Sequence, residues 1–274
     1  MAKIPQRNLL NEMLEDGEVE QAPREYIGMS SLGGKCKRKI WYDFRLCYKR
    51  TVPKRINRLF RRGDYEEAVL IRDMQEAGII CEFTGENQYT FCDDTGHIKG
   101  HPDGKLLNVP GFPPDKWHLF EAKTMKSSIF TNYLKNGLEK TYPVYWGQAH
   151  TYMGEWGLDS CIFAVVNKDT DQRDFTQFNY DPVVHRDCMS VGFDVLTSEQ
   201  PPKKIGEKTW FECKTCSARG ICHKGEPIQK SCRTCQHVDI EEGGRWFCNV
   251  RNTELSFAFQ KVGCEEYEIE ECLI

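Results

Sequence analysis

The chain has 274 residues, of which 39% are hydrophobic and 28% are charged, and its formal net charge is −4 at pH 7. This composition is ordinary for a globular protein with a real core, and the net charge argues against a protein that binds nucleic acid through its overall charge. Residues 1–21 hold no apolar run long enough for a signal peptide or a membrane span. We therefore expect no membrane association and a reducing, cytoplasmic location in a bacterium or a phage-infected host cell.

Composition divides the chain into three predicted regions. Residues 1–25 are expected to form an acidic helix and a linker, and residues 26–200 an α/β core. Pro201 and Pro202 mark a boundary, after which residues 201–274 are rich in cysteine, glycine and glutamate and show little periodicity.

A strongly basic stretch opens the core region. Residues 35–62 contain twelve Lys or Arg residues and one acid, Asp43, together with the aromatic side chains of Trp41, Tyr42, Phe44 and Tyr48. Such a stretch suits a phosphate backbone with bases to stack on. The competing interpretation is a solvated helix face whose aromatic side chains turn toward the core.

The next segments alternate between helix and strand signals. Apolar spacing predicts a helix over residues 57–77, which Gly78 ends as a C-cap. Strands are predicted within residues 78–83, 88–92 and 96–107, with a turn between the last two.

A loop with three prolines, residues 108–116, separates two strand-like segments. A symmetric hairpin centred near Phe112 sets Asp103 across from Glu121. Because side chains alternate along a strand, Glu121 and Lys123 share one face.

The rest of the core region continues the alternation of helices and strands. Helices are predicted over residues 127–137, 142–157 and 183–198, and strands over residues 160–169 and 173–180.

Asp103, Glu121 and Lys123 form a candidate hydrolytic group. Opposed carboxylates suit a hard cation such as Mg²⁺ or Mn²⁺, and a neighbouring lysine can orient or help to deprotonate an attacking water. The competing interpretation is a surface hairpin with an ion pair, because these residue types are common.

Two helical segments extend this group. Gln148 and Tyr152 are four residues apart and so share a helix face, where they could hold a phosphate or a water, unless they are a buried hydrogen-bonded pair. Upstream, Glu66 or Glu67 could supply a further metal ligand, and we favour Glu67.

These motifs, in this order, resemble the PD-(D/E)XK nuclease superfamily. The matching segments are the G-x-x-x-E helix from Gly63, Pro-Asp at residues 102–103, Glu-x-Lys at residues 121–123 and Gln-x-x-x-Tyr at residues 148–152. Within the superfamily, the sequence is most similar to the branch of RecB-type nuclease domains, lambda-type phage exonucleases and CRISPR-adaptation exonucleases.

The resemblance implies a restriction-endonuclease-like fold, with a mixed central sheet flanked by helices. It also implies a metal ion held by Asp103, Glu121, the Ala122 carbonyl and Glu67, with Lys123 as the catalytic cation. Gln148 and Tyr152 match the motif of exonuclease-like members. Many relatives carry histidine where this sequence has Glu67, which departs from the family pattern.

Cysteines concentrate in the C-terminal region. In a reducing compartment, metal ligation is a better explanation of the 14 cysteines than a disulfide framework. Cys213, Cys216 and Cys222 supply three thiolates in a C-x2-C-x5-C pattern. The resemblance implies that these three cysteines, within residues 213–222, bind a [4Fe-4S] cluster together with Cys36. Zinc bound by the same four ligands is the alternative.

A second cysteine set lies within residues 232–264. Cys232, Cys235, Cys248 and Cys264 have the two-plus-two arrangement of a ribbon-like zinc site. His237 could replace one ligand, and Cys272 is a spare.

Three functions follow from these features. The leading one is a metal-dependent DNA exonuclease, and the resemblance alone implies single strands or duplex ends as its substrate. Its role in recombination or phage DNA processing, beside a recombination or single-strand-annealing protein, rests on the resemblance. The second is a non-catalytic binding module that uses the basic segment and the zinc ribbon, and the third is a redox-responsive iron–sulfur regulator.

Overall fold

The computed structural model describes residues 6–16 and 22–274. Its helices are α1 (Gln6–Asp16), α2 (Lys37–Phe44), α3 (Lys54–Glu76), α4 (Ser127–Asn136), α5 (Leu138–Thr141), α6 (Pro143–Trp156), α7 (Pro182–Thr197), α8 (Phe211–Thr215), α9 (Arg219–His223) and α10 (Phe257–Gln260). Its strands are β1 (Ile27–Gly28), β2 (Ile80–Glu82), β3 (Phe91–Cys92), β4 (Ile98–Gly100), β5 (Gly104–Leu107), β6 (His118–Met125), β7 (Ser160–Asn167), β8 (Arg173–Asn179), β9 (Val238–Glu241), β10 (Arg245–Cys248) and β11 (Thr253–Glu254).

The central sheet has five strands in the order β2-β5-β6-β7-β8. Strands β6 and β7 pair in parallel, whereas the other neighbours are antiparallel. The predicted mixed sheet flanked by helices is therefore confirmed. Within the described parts of the chain, no helix is both long and apolar enough to cross a bilayer.

Strand β7 is buried along its whole length because both faces of the sheet are covered. Phe163 and Val165 point into the larger core, which contains Ala149 and Met153 of α6. The alternate side chains of the strand, among them Ile162, pack into a smaller core that α3 covers. Successive side chains of β7 point to opposite faces of the sheet, and because both sets are apolar, each face packs against a helix.

Helix α3 begins earlier than predicted. It starts at Lys54, directly after Pro53, because a proline just before the first turn removes no helical hydrogen bond. Gly78 follows its last turn at φ +85°, and Ile79 N donates to Met74 O at 3.0 Å. Gly78 therefore ends the helix as predicted, in the left-handed conformation that glycine tolerates.

The single strand predicted over residues 96–107 is wrong. The chain instead forms β4 and β5, which belong to different sheets, since β4 pairs with β1 and β3. Pro102 has no N–H to continue a ladder, and Gly104 takes φ +143°. This break leaves Asp103 in a short connection at the start of β5, outside both ladders.

The predicted hairpin register is confirmed. Strands β5 and β6 pair Gly104 with Phe120 and Leu106 with His118, so that Phe112 lies midway between paired residues. Asp103 therefore leads into the position opposite Glu121.

The cysteine-rich segment packs onto the rest of the protein. Strands β9, β10 and β11 form a small antiparallel sheet, and Trp246 of β10 is fully buried in the larger core. The domain boundary at residue 200 stays a prediction. Part of the predicted N-terminal region, residues 1–5 and 17–21, lies outside the described residues.

Candidate active site

The structure brings Asp103, Glu121 and Lys123 into direct contact where the start of β5 meets β6. Lys123 Nζ lies 3.1 Å from Asp103 Oδ2, 2.9 Å from Glu121 Oε2 and 2.9 Å from the Ala122 carbonyl oxygen. Ala122 N also donates to Asp103 Oδ2 at 2.9 Å, which fixes that carboxylate against β6. The oxygen atoms of Asp103, Glu121 and Ala122, which the family resemblance implies as metal ligands, therefore converge on one cation, the Lys123 ammonium.

One acceptor in this group has no partner. Glu121 is 1% exposed, and its Oε1 is buried without a hydrogen bond from any residue that the structure describes. A buried oxygen left in this way costs about 1–3 kcal/mol. The donor set of two carboxylates and a carbonyl is all oxygen, so the residues present fit a hard divalent cation.

No three His, Cys, Asp or Glu side chains by themselves surround a point where a metal ion could sit, within residues 6–16 and 22–274. Glu67 therefore does not join Asp103 and Glu121 around one such point, and the third oxygen of the group at β6 belongs to the backbone of Ala122.

The charges of the group are strongly coupled. Burial, and after it the Asp103 carboxylate, raises the pKa of Glu121 to about 8. Although burial alone would lower it, the Asp103 and Glu121 carboxylates hold the pKa of Lys123 well above its usual range. Lys123 therefore stays an ammonium at neutral pH, and the group has more negative charge than this one cation balances when both acids are ionised.

Glu67, the predicted upstream ligand, faces this group from α3. Burial, and after it the Asp103 carboxylate, raises the pKa of Glu67 to about 7. Glu66 instead lies 3.7 Å from Arg62 as an i,i+4 pair. This arrangement supports the preference for Glu67, and its role as a ligand stays a prediction.

Gln148 and Tyr152 of α6 reach different parts of the site. Gln148 Nε2 donates to Glu121 Oε2 at 3.0 Å, so it orients that carboxylate. Tyr152 is 1% exposed, and its hydroxyl accepts from His101 N at 3.2 Å in the connection before Asp103. Tyr152 is thus part of the support of the loop before Asp103, and its catalytic role stays a prediction.

The group opens onto a groove of about 610 Å³. Basic side chains from three separate segments line it, namely Arg24, Arg50 and Lys168. Only Arg50 belongs to the predicted basic stretch. Lys168 directly follows β7, which pairs in parallel with the strand that carries Lys123. Its place after a predicted strand was the sequence signal that could have identified it, because ligands bind at the carboxyl ends of parallel strands.

The basic stretch is less available than its composition suggests. Trp41, Tyr42 and Phe44 are buried, so these aromatic residues belong to the core and cannot stack on bases. The cations of α2, and Arg45 directly after it, also pair with other residues of this protein. Lys37 pairs with Asp194, Lys39 with Asp43 and Arg45 with Glu270, while Arg38 donates to the carbonyls of Pro201 and Pro202. The interpretation that these aromatic side chains face the core is correct. Burying their apolar surface stabilises the fold.

The cysteines of the first set lie near one another. Cys36 directly precedes α2, while Cys213 lies in α8 and Cys222 in α9. Partial burial, and after it Cys216, Cys36 and Cys222, raises the pKa of the Cys213 thiol. The start of α2 thus lies near the short helices α8 and α9 at these thiols, and the cluster that they would hold stays a prediction.

Comparison with known proteins gives a fold likeness only. No protein-family model and no curated protein matches the chain. The solved structures that are similar include LHK-Exo in complex with dAMP, at 18% identity and TM-score 0.46, covering 63% of this chain and 86% of that one. A second LHK-Exo structure, described as an alkaline exonuclease from Laribacter hongkongensis, has 17% identity and TM-score 0.44 and covers 63% and 89%. The structure of SSO0001 has 17% identity and TM-score 0.43 and covers 81% and 98%. At such identities and TM-scores, the likeness carries no argument about activity.

Proposed function

We propose that the chain is a Mg²⁺- or Mn²⁺-dependent deoxyribonuclease that hydrolyses phosphodiester bonds. The observation that carries this proposal is the convergence of Asp103 Oδ2, Glu121 Oε2 and the Ala122 carbonyl on a single point beside an open groove. The raised pKa values of two acids there are typical of a functional site.

Asp103, Glu121 and the Ala122 carbonyl would hold the divalent cation, with Glu67 as a further oxygen ligand. When bound, such a cation polarises a phosphate oxygen and lowers the pKa of water. The unpaired Glu121 Oε1 and the acidic surplus of the group are what such an ion would neutralise.

Lys123 acts in this proposal through its positive charge. In the metal-free protein, the Asp103 and Glu121 carboxylates hold the pKa of Lys123 well above its usual range, so its side chain is an ammonium there. It stabilises the negative charge that develops on the phosphate in the transition state. Gln148 keeps the Glu121 carboxylate oriented, and Tyr152 holds the backbone before Asp103.

The groove is the proposed path of the DNA. Arg24, Arg50 and Lys168, which line the groove, can neutralise backbone phosphates. Exonuclease action on single strands or duplex ends, a role in recombination or phage DNA processing, and an annealing-protein partner enter the proposal only through the family resemblance.

A [4Fe-4S] cluster at Cys36, Cys213, Cys216 and Cys222 is a further part of the proposal. Its support is the proximity of these thiols around Cys213. Such a cluster would tie the start of α2 to the short helices α8 and α9. The iron and zinc contents of oxygen-free preparations of the wild type and of Cys213→Ser distinguish iron from zinc at these ligands.

The test is hydrolysis of labelled linear and circular DNA, single- and double-stranded, with Mg²⁺ or Mn²⁺. Asp103→Ala and Lys123→Ala are expected to lower the rate by about 10³-fold or more, since each removes charge stabilisation at the reacting phosphate. Asp94→Ala and Lys126→Ala are matched controls, because both side chains are exposed and lie outside the group. Hydrolysis that survives both substitutions at Asp103 and Lys123 contradicts this site. Absence of hydrolysis by the wild type under either metal favours the binding module.

A further inference from the structure

The second cysteine set gathers through backbone contacts that the sequence spacing does not reveal. Cys232 and Cys235 bracket one turn of 3₁₀ helix, Cys232–Thr234. Cys248, at the end of β10, pairs with Val238 in the register of the β9–β10 hairpin. Because Val238 N bonds to Cys235 O at 3.3 Å, the hairpin returns Cys248 to the turn.

The last cysteine arrives from a different direction. Cys232 N donates to Val262 O at 3.1 Å, which brings the segment that contains Cys264 alongside the turn. Burial, and after it three neighbouring thiols, raises the pKa of Cys232 to about 11. Those thiols belong to Cys264, Cys235 and Cys248.

We propose that Cys232, Cys235, Cys248 and Cys264 bind one zinc ion as thiolates, and that this ion is an internal strut of the fold. Four soft sulfur ligands favour tetrahedral zinc over a hard cation. The thiols do not surround one point as they stand, so binding requires rotation about χ1, the one bond that swings a cysteine sulfur.

Two neighbours support this ligand set. Arg251 and Glu266 form an ion pair at 2.8 Å and both lie beside Cys264, so Arg251 can donate to a Cys264 thiolate as well as to Glu266. His237, the alternative ligand, has its Nε2 3.4 Å from Glu268. The four cysteines therefore form a complete set without His237.

The residue inside the first cysteine pair shows why the ion would be a strut. Arg233 is 1% exposed and donates to the carbonyls of Phe44 at 2.7 Å and Glu25 at 2.8 Å. Its guanidinium also bonds to Gln260 Oε1 and lies 4.4 Å from the centre of the Trp246 ring. A side chain that crosses between segments in this way needs its backbone held rigidly, and a metal at the flanking cysteines supplies that rigidity.

The tip of the hairpin makes a second attachment. Gly244 N donates to Thr95 O at 2.9 Å, and His97 Nε2 lies 2.7 Å from Glu241 O. The backbones approach so closely at Gly96 that a Cβ there would lie 2.4 Å from Gly243. This turn leads through β4 into the connection that carries Asp103.

The inference does not depend on nuclease activity, and it opposes the use of this ribbon as an exposed nucleic-acid finger. Its inner face, with Trp246 and Arg233, is covered by the protein itself.

The test is the zinc content of the whole protein, purified from zinc-supplemented cells. Cys248→Ser is expected to hold about one zinc ion less per chain than the wild type. The control is Cys92→Ser, whose thiol is exposed and belongs to neither set, and it is expected to match the wild type. Trypsin should also cleave the Cys248→Ser variant faster at Arg245 and Lys99, because the hairpin tip and the turn beneath it separate. Equal zinc in Cys248→Ser and the wild type overturns the proposal.

Loss of folding in Cys248→Ser would leave the question to a measurement on the wild type. Alkylation of the native protein, followed by peptide mapping, is expected to spare the four cysteines until a chelator removes zinc, while Cys92 reacts at once. Labelling of the four at the rate of Cys92 before chelation also overturns the proposal.

Discussion

The acidic group at β6 and the cysteine ribbon of residues 232–264 both gather potential metal ligands, and they treat buried charge in opposite ways. In the acidic group, Glu121 keeps a buried oxygen without a partner, and the site opens onto a basic groove. In the ribbon, Arg233 divides its donors among three acceptors and lies against aromatic rings.

This difference separates a site arranged for chemistry from one arranged for stability. Buried charged groups that lack hydrogen-bond partners or repel each other lower the stability of the folded state. A protein retains them where binding an ion or a substrate recovers the lost stability. Arg233 is a buried cation whose guanidinium nitrogens already have hydrogen-bond partners, so binding a further ion or substrate would recover no stability there. Arg233 is therefore a structural residue.

After the substitutions at Asp103 and Lys123, the largest effect is expected at Glu67. Glu67→Gln should lower DNA hydrolysis by about 10²-fold, because it removes a charged oxygen next to Asp103. The melting temperature should stay the same or rise, since the substitution relieves repulsion between two acids. Steady-state hydrolysis and thermal unfolding, measured on the same preparations, check both parts.

Glu66→Gln is the matched control, because Glu66 pairs with Arg62 on the same helix. Its rate is expected to remain within a few-fold of the wild type. A loss in Glu66→Gln that equals the loss in Glu67→Gln would assign the upstream role to the wrong glutamate.

A smaller effect is expected in the pH dependence of stability. The pKa of Glu121 is raised to about 8 in the folded protein from the ordinary 4.5, so the folded state binds its proton more tightly than the unfolded chain does. Stability from this group is therefore largest at low pH and is lost as the pH rises from about 4.5 toward about 8. Between about pH 5.5 and about pH 8, metal-free wild type should lose on the order of 1–3 kcal/mol relative to Glu121→Gln.

Urea unfolding in the presence of a chelator measures this difference. Identical pH dependence of the free energy of unfolding in the two proteins would mean that the ionised Glu121 carboxylate does not destabilise the fold. The acidic group and the ribbon would then not differ in how their buried charge affects stability.

Pairing geometry made part of the site predictable from sequence. A hairpin pairs residues at equal distances from its turn, so the proline-rich loop around Phe112 was enough to set Asp103 across from Glu121. The central helices and strands were likewise predictable, because β7 is a short continuous apolar run and α3 has apolar residues at helical spacing.

The remaining features depend on tertiary contacts. Composition alone did not predict that Trp41 and Phe44 point into the core, because a basic helix has both a solvent-exposed face and a buried face. Pro102 and Gly104 signal a break between β4 and β5, but the sheet that each strand joins depends on its tertiary partners. The approach of Cys264 to Cys232 depends on one long-range backbone hydrogen bond at Val262.

The most direct test of the account is the anomalous scattering of crystals soaked in Mn²⁺. We predict one peak bonded to Asp103, Glu121 and the carbonyl oxygen of Ala122, with the Lys123 ammonium moved away from the point that it occupies between those oxygens. Soaked crystals with no peak there, and with Lys123 still bridging the two carboxylates, would contradict the metal-dependent site.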